Sequence, residues 1–305
     1  MTRAVLETRG LGKRFRRGWA LRDCTLEIPE GAVVGLAGPN GAGKSTLLAL
    51  AVGLLRPTSG EIAVLGRDPW RDASTLAELG YVPQDAPLYR SFTIRDTLEL
   101  ARRTNVRWDG TVAGVFLAGL AADTRVGSLT AGERSRLALA VALGKRPALL
   151  LLDEPFARLD PLAGREFLQL LMDGVAEIEA TVVIASHVVS DIERVCDHIV
   201  LMSGGGVRLH GNVEELLAQH RLVTGARRPF GEKRIRGVAE VVRERVSGRQ
   251  LTVLARVNGG VVDPAWSVAP IGLEELLLAY MEPEERAQAA LPQPQVEEAR
   301  LRWHG

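Results

Sequence analysis

Within the stretch GLAGPNGAGKSTLLAL (residues 35–50), Gly38, Gly43, Lys44 and Ser45 satisfy the spacing GxxxxGK[ST] without gap or substitution. Gly38, Gly41 and Gly43 let consecutive backbone N–H groups turn toward one anion, with Pro39, Asn40 and Ala42 spanning the loop between them. Lys44 then reaches the β and γ phosphates of a nucleotide, the adjoining Ser45 hydroxyl is placed to hold Mg²⁺, and Thr46 continues the run. The flanks supply the required context. AVVGLA (32–37) is a short apolar run with β-branched residues, and STLLALAVGLL is apolar at helical spacing, so a strand enters the loop and a helix leaves it. The positive end of that helix faces the same anion.

A phosphate loop needs carboxylates for the metal and for the attacking water. ALLLLDEP (148–155) reads as a strand buried on both faces that ends in Asp153 and Glu154. Asp153 is placed to share Mg²⁺ with Ser45, and Glu154 to orient or deprotonate water beside the γ-phosphate. Between the two motifs, GSLTAGERSRLALAVALGKRP (127–147) opens with Thr130 and Glu133 in a T-x-x-E capping box. The apolar helical stripe that follows stops at Gly-Lys-Arg-Pro.

The last segment resembles the signature of the ATP-binding cassette (ABC) ATPases, usually LSGGQ, at its expected place shortly before the acidic strand. The remaining marks of that family follow in order over roughly residues 4–215. Phe15 matches the aromatic that stacks on adenine, and Gln84 in GYVPQD matches the glutamine loop, which also approaches the metal. LTAGE (129–133) matches the signature, ARLD (157–160) the loop that carries Asp160 across a dimer, and His187 in TVVIASH the switch histidine. Taken alone, Phe15 is equally a packed aromatic and His187 a strand-end histidine.

The resemblance implies two ATP-binding subunits, identical or related, arranged head to tail. Backbone N–H groups of Thr130, Ala131, Gly132 and Glu133, with the Thr130 hydroxyl, would face the γ-phosphate held by the other subunit. Ala131 replaces a glycine and Glu133 a glutamine, which brings a methyl and a carboxylate to a helix end meant for an anion. The expected result is an intact but slow ATPase.

The implied architecture is α/β: a RecA-like P-loop NTPase core with a mostly parallel sheet. An antiparallel N-terminal β-subdomain (AVLET, CTLEI, EIAVLG) and an inserted helical subdomain over about 85–147 complete the ABC nucleotide-binding domain of residues 1–215. Residues 45–129 are too few for the long coiled coil of chromosome-maintenance relatives, and the phosphate loop occurs once. The resemblance therefore points to the ATP-binding subunit of a membrane transporter with a separate integral-membrane permease. The groove beside Gln84 would receive a permease helix, with Leu88, Tyr89 and Phe92 as candidate contacts.

Residues 216–281 read as a small α/β accessory domain. VAEVVRERVSGRQLTVLARV forms two strands about a Ser-Gly turn, and IGLEELLLAYM (271–281) a closing amphipathic helix. This extension resembles that of exporter ATPases. A soluble nucleotide-gated interaction module, an importer subunit and a catalytically idle subunit are the alternatives. Residues 221–250 carry nine Lys/Arg against three Glu, which suits either a solvated face or an anionic leaflet. Residues 282–305, with Trp303, read as a mobile tail.

Composition narrows the class. Apolar residues make up 46% and charged residues 25%, as in a globular protein, and a formal charge of +1 gives no basic footprint for nucleic acid. Cys24 and Cys196 stand outside any metal or disulfide pattern and read as core thiols of a reducing compartment. No signal peptide or membrane-spanning run is found, so the expected location is the cytoplasmic face of the membrane, held there by the permease.

Overall fold

The computed structural model describes residues 3–227, 235–261 and 264–281. Three antiparallel strands lead the chain: β1 (Ala4–Phe15) pairs with β2 (Gly18–Pro29) on one side and with a later strand, Ser59–Val64, on the other. These match the three N-terminal segments expected to pair, except that the third strand ends at Val64, two residues short of the end of EIAVLG. Buried and exposed residues alternate along much of β2, because one face of this sheet covers the core and the other meets solvent.

The core sheet begins with β3 (Val33–Ala37), and α1 (Lys44–Ala51) follows it directly; Ser59–Val64 is then β4. β5 (Leu79–Val82) leads into α2 (Ile94–Thr104), α3 (Gly110–Val115) and α4 (Ala131–Gly144), and the chain returns as β6 (Leu149–Asp153). Next come α5 (Pro161–Ile178), β7 (Thr181–Ser186), α6 (Val189–Ile192), β8 (His198–Ser203) and β9 (Gly206–Asn212). The six strands lie in the order β5-β6-β7-β3-β8-β9, parallel except for the β8–β9 pair. Every residue of β6 and β7 is buried, as an apolar run between two layers requires.

The inserted helices are set by their N-caps. Thr93 and Asp96 form a capping box on α2, Asp109 accepts from Thr111 and Val112 at the start of α3, and Thr130 with Glu133 caps α4. Arg136 on α4 donates to the carbonyls of Phe116 and Ala118, tying the signature helix to the end of α3.

After α7 (Val213–Gln219), β10 (His220–Ala226), β11 (Val238–Ser247), β12 (Gln250–Val257) and β13 (Trp266–Ala269) form an antiparallel sheet ordered β11-β12-β10-β13. The β11–β12 hairpin turns at Ser247 and Gln250, where the sequence places it. β10 and β13, which local pattern does not single out, complete the sheet around Val223, Val253, Ala255 and Trp266. The closing helix α8 (Leu273–Met281) packs on the other face of this sheet, against β11, and shares a cluster with Leu254. Leu273, Leu276 and Leu277 join Ile192, Cys196 and Ile199 in the main core, with α8 lying against α6.

His220 staples this arrangement. Its Nδ1 lies 2.7 Å from the Leu216 carbonyl and its Nε2 lies 2.9 Å from the Tyr280 hydroxyl. Since Nδ1–H donates to the carbonyl, Nε2 accepts from Tyr280. Both cysteines are buried, and burial pushes the thiols up, to about 11 for Cys24 and about 12 for Cys196, so they are core residues and poor nucleophiles. Among the described residues no helix is long and apolar enough to cross a membrane. Of the basic stretch, residues 228–234 lie outside the described residues; Arg221 donates to the Leu217 and His220 carbonyls, and Arg243 lies 3.7 Å from Glu275. The tail and Trp303 also lie outside them.

Candidate nucleotide site

Strand order explains why distant motifs meet. β7 lies between β3 and β6, so the loop after β3, the acidic end of β6 and the residue after β7 open at one edge of the sheet. Gly43 takes φ 105° at the N-cap of α1, a left-handed conformation open to glycine. A Cβ there would lie 2.7 Å from the Ala20 carbonyl, and one on Gly38 would lie 2.3 Å from the Met202 carbonyl, so the loop presses against β2 and β8. Gly41 differs from both. It is exposed at the tip of the loop with Pro39 and Asn40, and a Cβ on it would meet nothing within 4 Å. Its φ of 81° is what calls for glycine there, so it shapes the turn and is not needed for packing against the protein. Ala42, next to it, is buried.

Lys44 is buried and donates from Nζ to the Gly38 carbonyl at 2.7 Å. The same ammonium lies 3.4 Å from Glu154 Oε1. The Ser45 hydroxyl donates to Asp153 Oδ1 at 3.0 Å. Glu154 Oε2 lies 2.8 Å from His187 Nδ1, so one carboxylate joins the phosphate-loop lysine to the histidine after β7. Glu154 takes φ 49°, a left-handed value that costs a residue with a side chain about 1–2 kcal/mol. Its N–H nevertheless continues the sheet by donating to the Ala185 carbonyl, which fixes the turn that brings its side chain back to Lys44 and His187.

Burial holds the Asp153 carboxyl above its ordinary value, even though the Ser45 hydroxyl donates to it. Burial and then the charge on Glu154 likewise raise Asp191, on α6 four residues after His187, while His187 and Ser186 act in the other direction. Asp191 escaped the sequence reading; its spacing of four from His187 is the signal that could have found it.

Five expected site residues thus converge: Lys44, Ser45, Asp153, Glu154 and His187. Others of the expected set stand apart. Gly41 is exposed, and a Cβ added to it would meet none of the five side chains within 4 Å. Phe15 is exposed at the β1–β2 hairpin end, with the Lys13 ammonium 5.3 Å from its ring centre. Gln84 is exposed in the turn after β5, and Thr46 is half-buried on α1. Asp160 caps α5, accepting from Leu162 and Ala163 at 3.0 Å each.

At the signature turn, Glu133 Oε2 accepts from the Thr130 N–H at 2.8 Å and from its hydroxyl at 2.9 Å. These bonds hold the Glu133 carboxyl below its ordinary value. Ala131 and Gly132 form the first turn of α4, and Gly132 faces Leu159 and Ala163.

A family model described as ABC transporter matches residues 21–157. The lipopolysaccharide export ATP-binding protein LptB of Acidithiobacillus ferridurans is 33% identical over 225 residues, covering 70% of this chain and 92% of LptB. The chain belongs to the ATP-binding protein family of ABC transporters. It is an ABC-type ATPase, an enzyme of ATP hydrolysis. The sulfate/thiosulfate import ATP-binding protein CysA of Synechocystis sp. strain PCC 6803 is 36% identical over 214 residues, which span 68% of this chain and only 60% of CysA. Among solved structures, the dimeric ABC transporter cassette MJ0796 superposes with a TM-score of 0.60 at 26% identity, covering 68% of this chain and 98% of that one. The ABC ATPase fold is the one expected from the sequence, with its parallel P-loop sheet and antiparallel β-subdomain.

Proposed function

We propose that this ABC ATPase drives export of a cargo through a separate integral-membrane permease, from the cytoplasmic face, as one of two ATP-binding subunits that close on ATP. The observation that carries the catalytic part is the Lys44–Glu154–His187 cluster beside the glycine loop. On ATP binding Lys44 would leave the Gly38 carbonyl and Glu154 for the β and γ phosphates. Glu154, freed of its cation, would take the proton of an attacking water, with His187 holding the carboxylate in place. Ser45 and Asp153 offer a hydroxyl and a carboxylate, hard oxygen donors that suit Mg²⁺ when phosphates and waters complete the shell. Bound there, Mg²⁺ would neutralise charge on the phosphates. Gln84, from the β5 side, is the third side chain assigned to that edge, and Phe15 is the stacking surface for adenine. Gly41, open to solvent, would offer backbone alone to the phosphates. Thr130 to Glu133, with Asp160, would complete the site of the second subunit.

Support for a permease comes from a groove of about 350 Å³ between the core and the inserted helices, lined by Tyr81, Pro83, Ala86, Leu88, Ala138 and Lys145 among others. Leu88 lies in its wall, while Tyr89 is 64% exposed beside it with its ring 5.0 Å from that of Phe92. Export is supported by the coverage of nearly all of LptB. Import is the second reading, favoured by the identity to CysA, a longer protein.

Purification of tagged Glu154→Gln protein from detergent-solubilised membranes, with ATP and Mg²⁺, tests the proposal. Recovery of a multi-span membrane protein is the expected result. Recovery of this chain alone, or with soluble partners, would overturn transport and leave the ATPase; cargo movement in inverted vesicles then separates export from import.

A further inference from the structure

We propose that Arg158 is a positioning residue for ATP hydrolysis, acting through its ion pair with Asp85 to hold the loop from Glu154 to Asp160 in register with the turn that carries Gln84. The inference rests on the catalytic reading of Glu154 given above.

β5 and β6 are neighbours, paired as far as Val82 and Leu152, and then the two chains part. One enters the turn of Pro83, Gln84 and Asp85 along the groove wall, and the other enters the loop that contains Glu154 and Asp160. Past the Glu154 N–H, which donates to Ala185, their backbone bonds are short-range: the Ala86 N–H donates to Pro83, the Ala157 N–H to Glu154 and the Leu159 N–H to Phe156. The guanidinium of Arg158 crosses the gap to the carboxylate of Asp85, 73 residues earlier in the chain. On its other side the same loop places Leu159 against Gly132 of the signature turn. A displacement of the groove wall is therefore passed by Asp85 and Arg158 to the backbone between Glu154 and Asp160.

Both side chains are largely exposed, at 57% for Arg158 and 76% for Asp85, so the pair contributes little to folding. That separates positioning from stability. The test compares ATP hydrolysis by the full chain with Asp85→Arg, Arg158→Asp, the double exchange, and the milder Asp85→Asn and Arg158→Gln. Each single change is expected to lower kcat about three- to five-fold, with KM for ATP altered less than about two-fold. The exchange should restore kcat to within about two-fold of the unaltered protein, and Tm should stay within about 2 °C throughout. Hydrogen exchange reads the loop without turnover: the Leu159 amide should exchange about three- to five-fold faster in Arg158→Gln.

Unchanged exchange at Leu159, single variants with full activity, or a double exchange no faster than the slower single would each overturn the proposal. Glu154→Gln is assayed in parallel. Full activity there removes the catalytic reading, whereas lost activity there with no response at Asp85 and Arg158 removes the pair alone.

Discussion

The ammonium of Lys44 and the carboxylate of Glu154 lie 3.4 Å apart, both almost fully buried. The residue assigned to the phosphates and the residue assigned to the water thus face each other as an ion pair. Neither buried charge is left alone, and an unpaired buried ion is costly.

Removing one partner is therefore unequal to removing the other. Lys44→Ala leaves Glu154 with His187 but without its cation, and the variant is expected to lose about 3 kcal/mol of stability along with tight ATP binding. Urea titration and binding of a fluorescent ATP analogue check the two losses separately. ATP binding at the unaltered affinity would remove Lys44 from the site.

Glu154→Gln keeps a side chain of the same shape that still reaches His187, and Lys44 keeps the Gly38 carbonyl. The expected outcome is hydrolysis reduced at least about 100-fold with ATP affinity retained. An ATP-dependent dimer should then accumulate in size-exclusion chromatography. Normal hydrolysis in this variant would show that Glu154 is not the base.

The signature turn carries its own anion, because Glu133 occupies both the Thr130 N–H and the Thr130 hydroxyl. Glu133→Gln preserves the cap and removes the charge, and should raise steady-state turnover about two- to five-fold, the size of a charge effect at a helix end. Ala131→Gly should add to it by admitting a closer backbone. Turnover that fails to rise in either variant would contradict the slow-ATPase reading.

Burial lowers the pKa of His220 below the ordinary 6.5, so the unfolded chain takes up a proton that the folded one resists. Stability from this residue is present above pH 6.5 and declines as pH falls through that value toward the lower folded pKa. The thermal midpoint should therefore drop on acidification through this window, and less steeply in His220→Gln. Equal slopes for the two proteins in scanning calorimetry from pH 7.5 to about 5 would refute the linkage.

Local patterns were legible where one segment carries its own instructions. The glycine loop, the apolar run of β6 and the Thr130–Glu133 box each declare a strand, turn or cap within a dozen residues, and the structure contains all three. The spacing of the loop did not show that its glycines serve different ends, since Gly38 and Gly43 press on neighbouring strands while Gly41 stands open. Strand order was less accessible, yet it is what brings His187 to Glu154. β10 and β13 pair across gaps in sequence, and the Asp85–Arg158 contact spans two loops; neither leaves a periodic trace. The place of α8 was hidden for the same reason. Its stripe announces an amphipathic helix, but not that its apolar face joins the ATPase core to one face of the small sheet, meeting Ile192 and Leu254 in one cluster.

That placement bears on biosynthesis. Among the described elements α8 is the last to leave the ribosome, yet it supplies Leu273, Leu276 and Leu277 to the core shared by α4, α5, β6 and β7. A nascent chain halted near residue 260 would carry every nucleotide motif and still leave the α6 side of this core, with Ile192, without the helix that lies against it. Closure of this core thus waits on α8, and a chain lacking that helix would present an apolar flank to its surroundings.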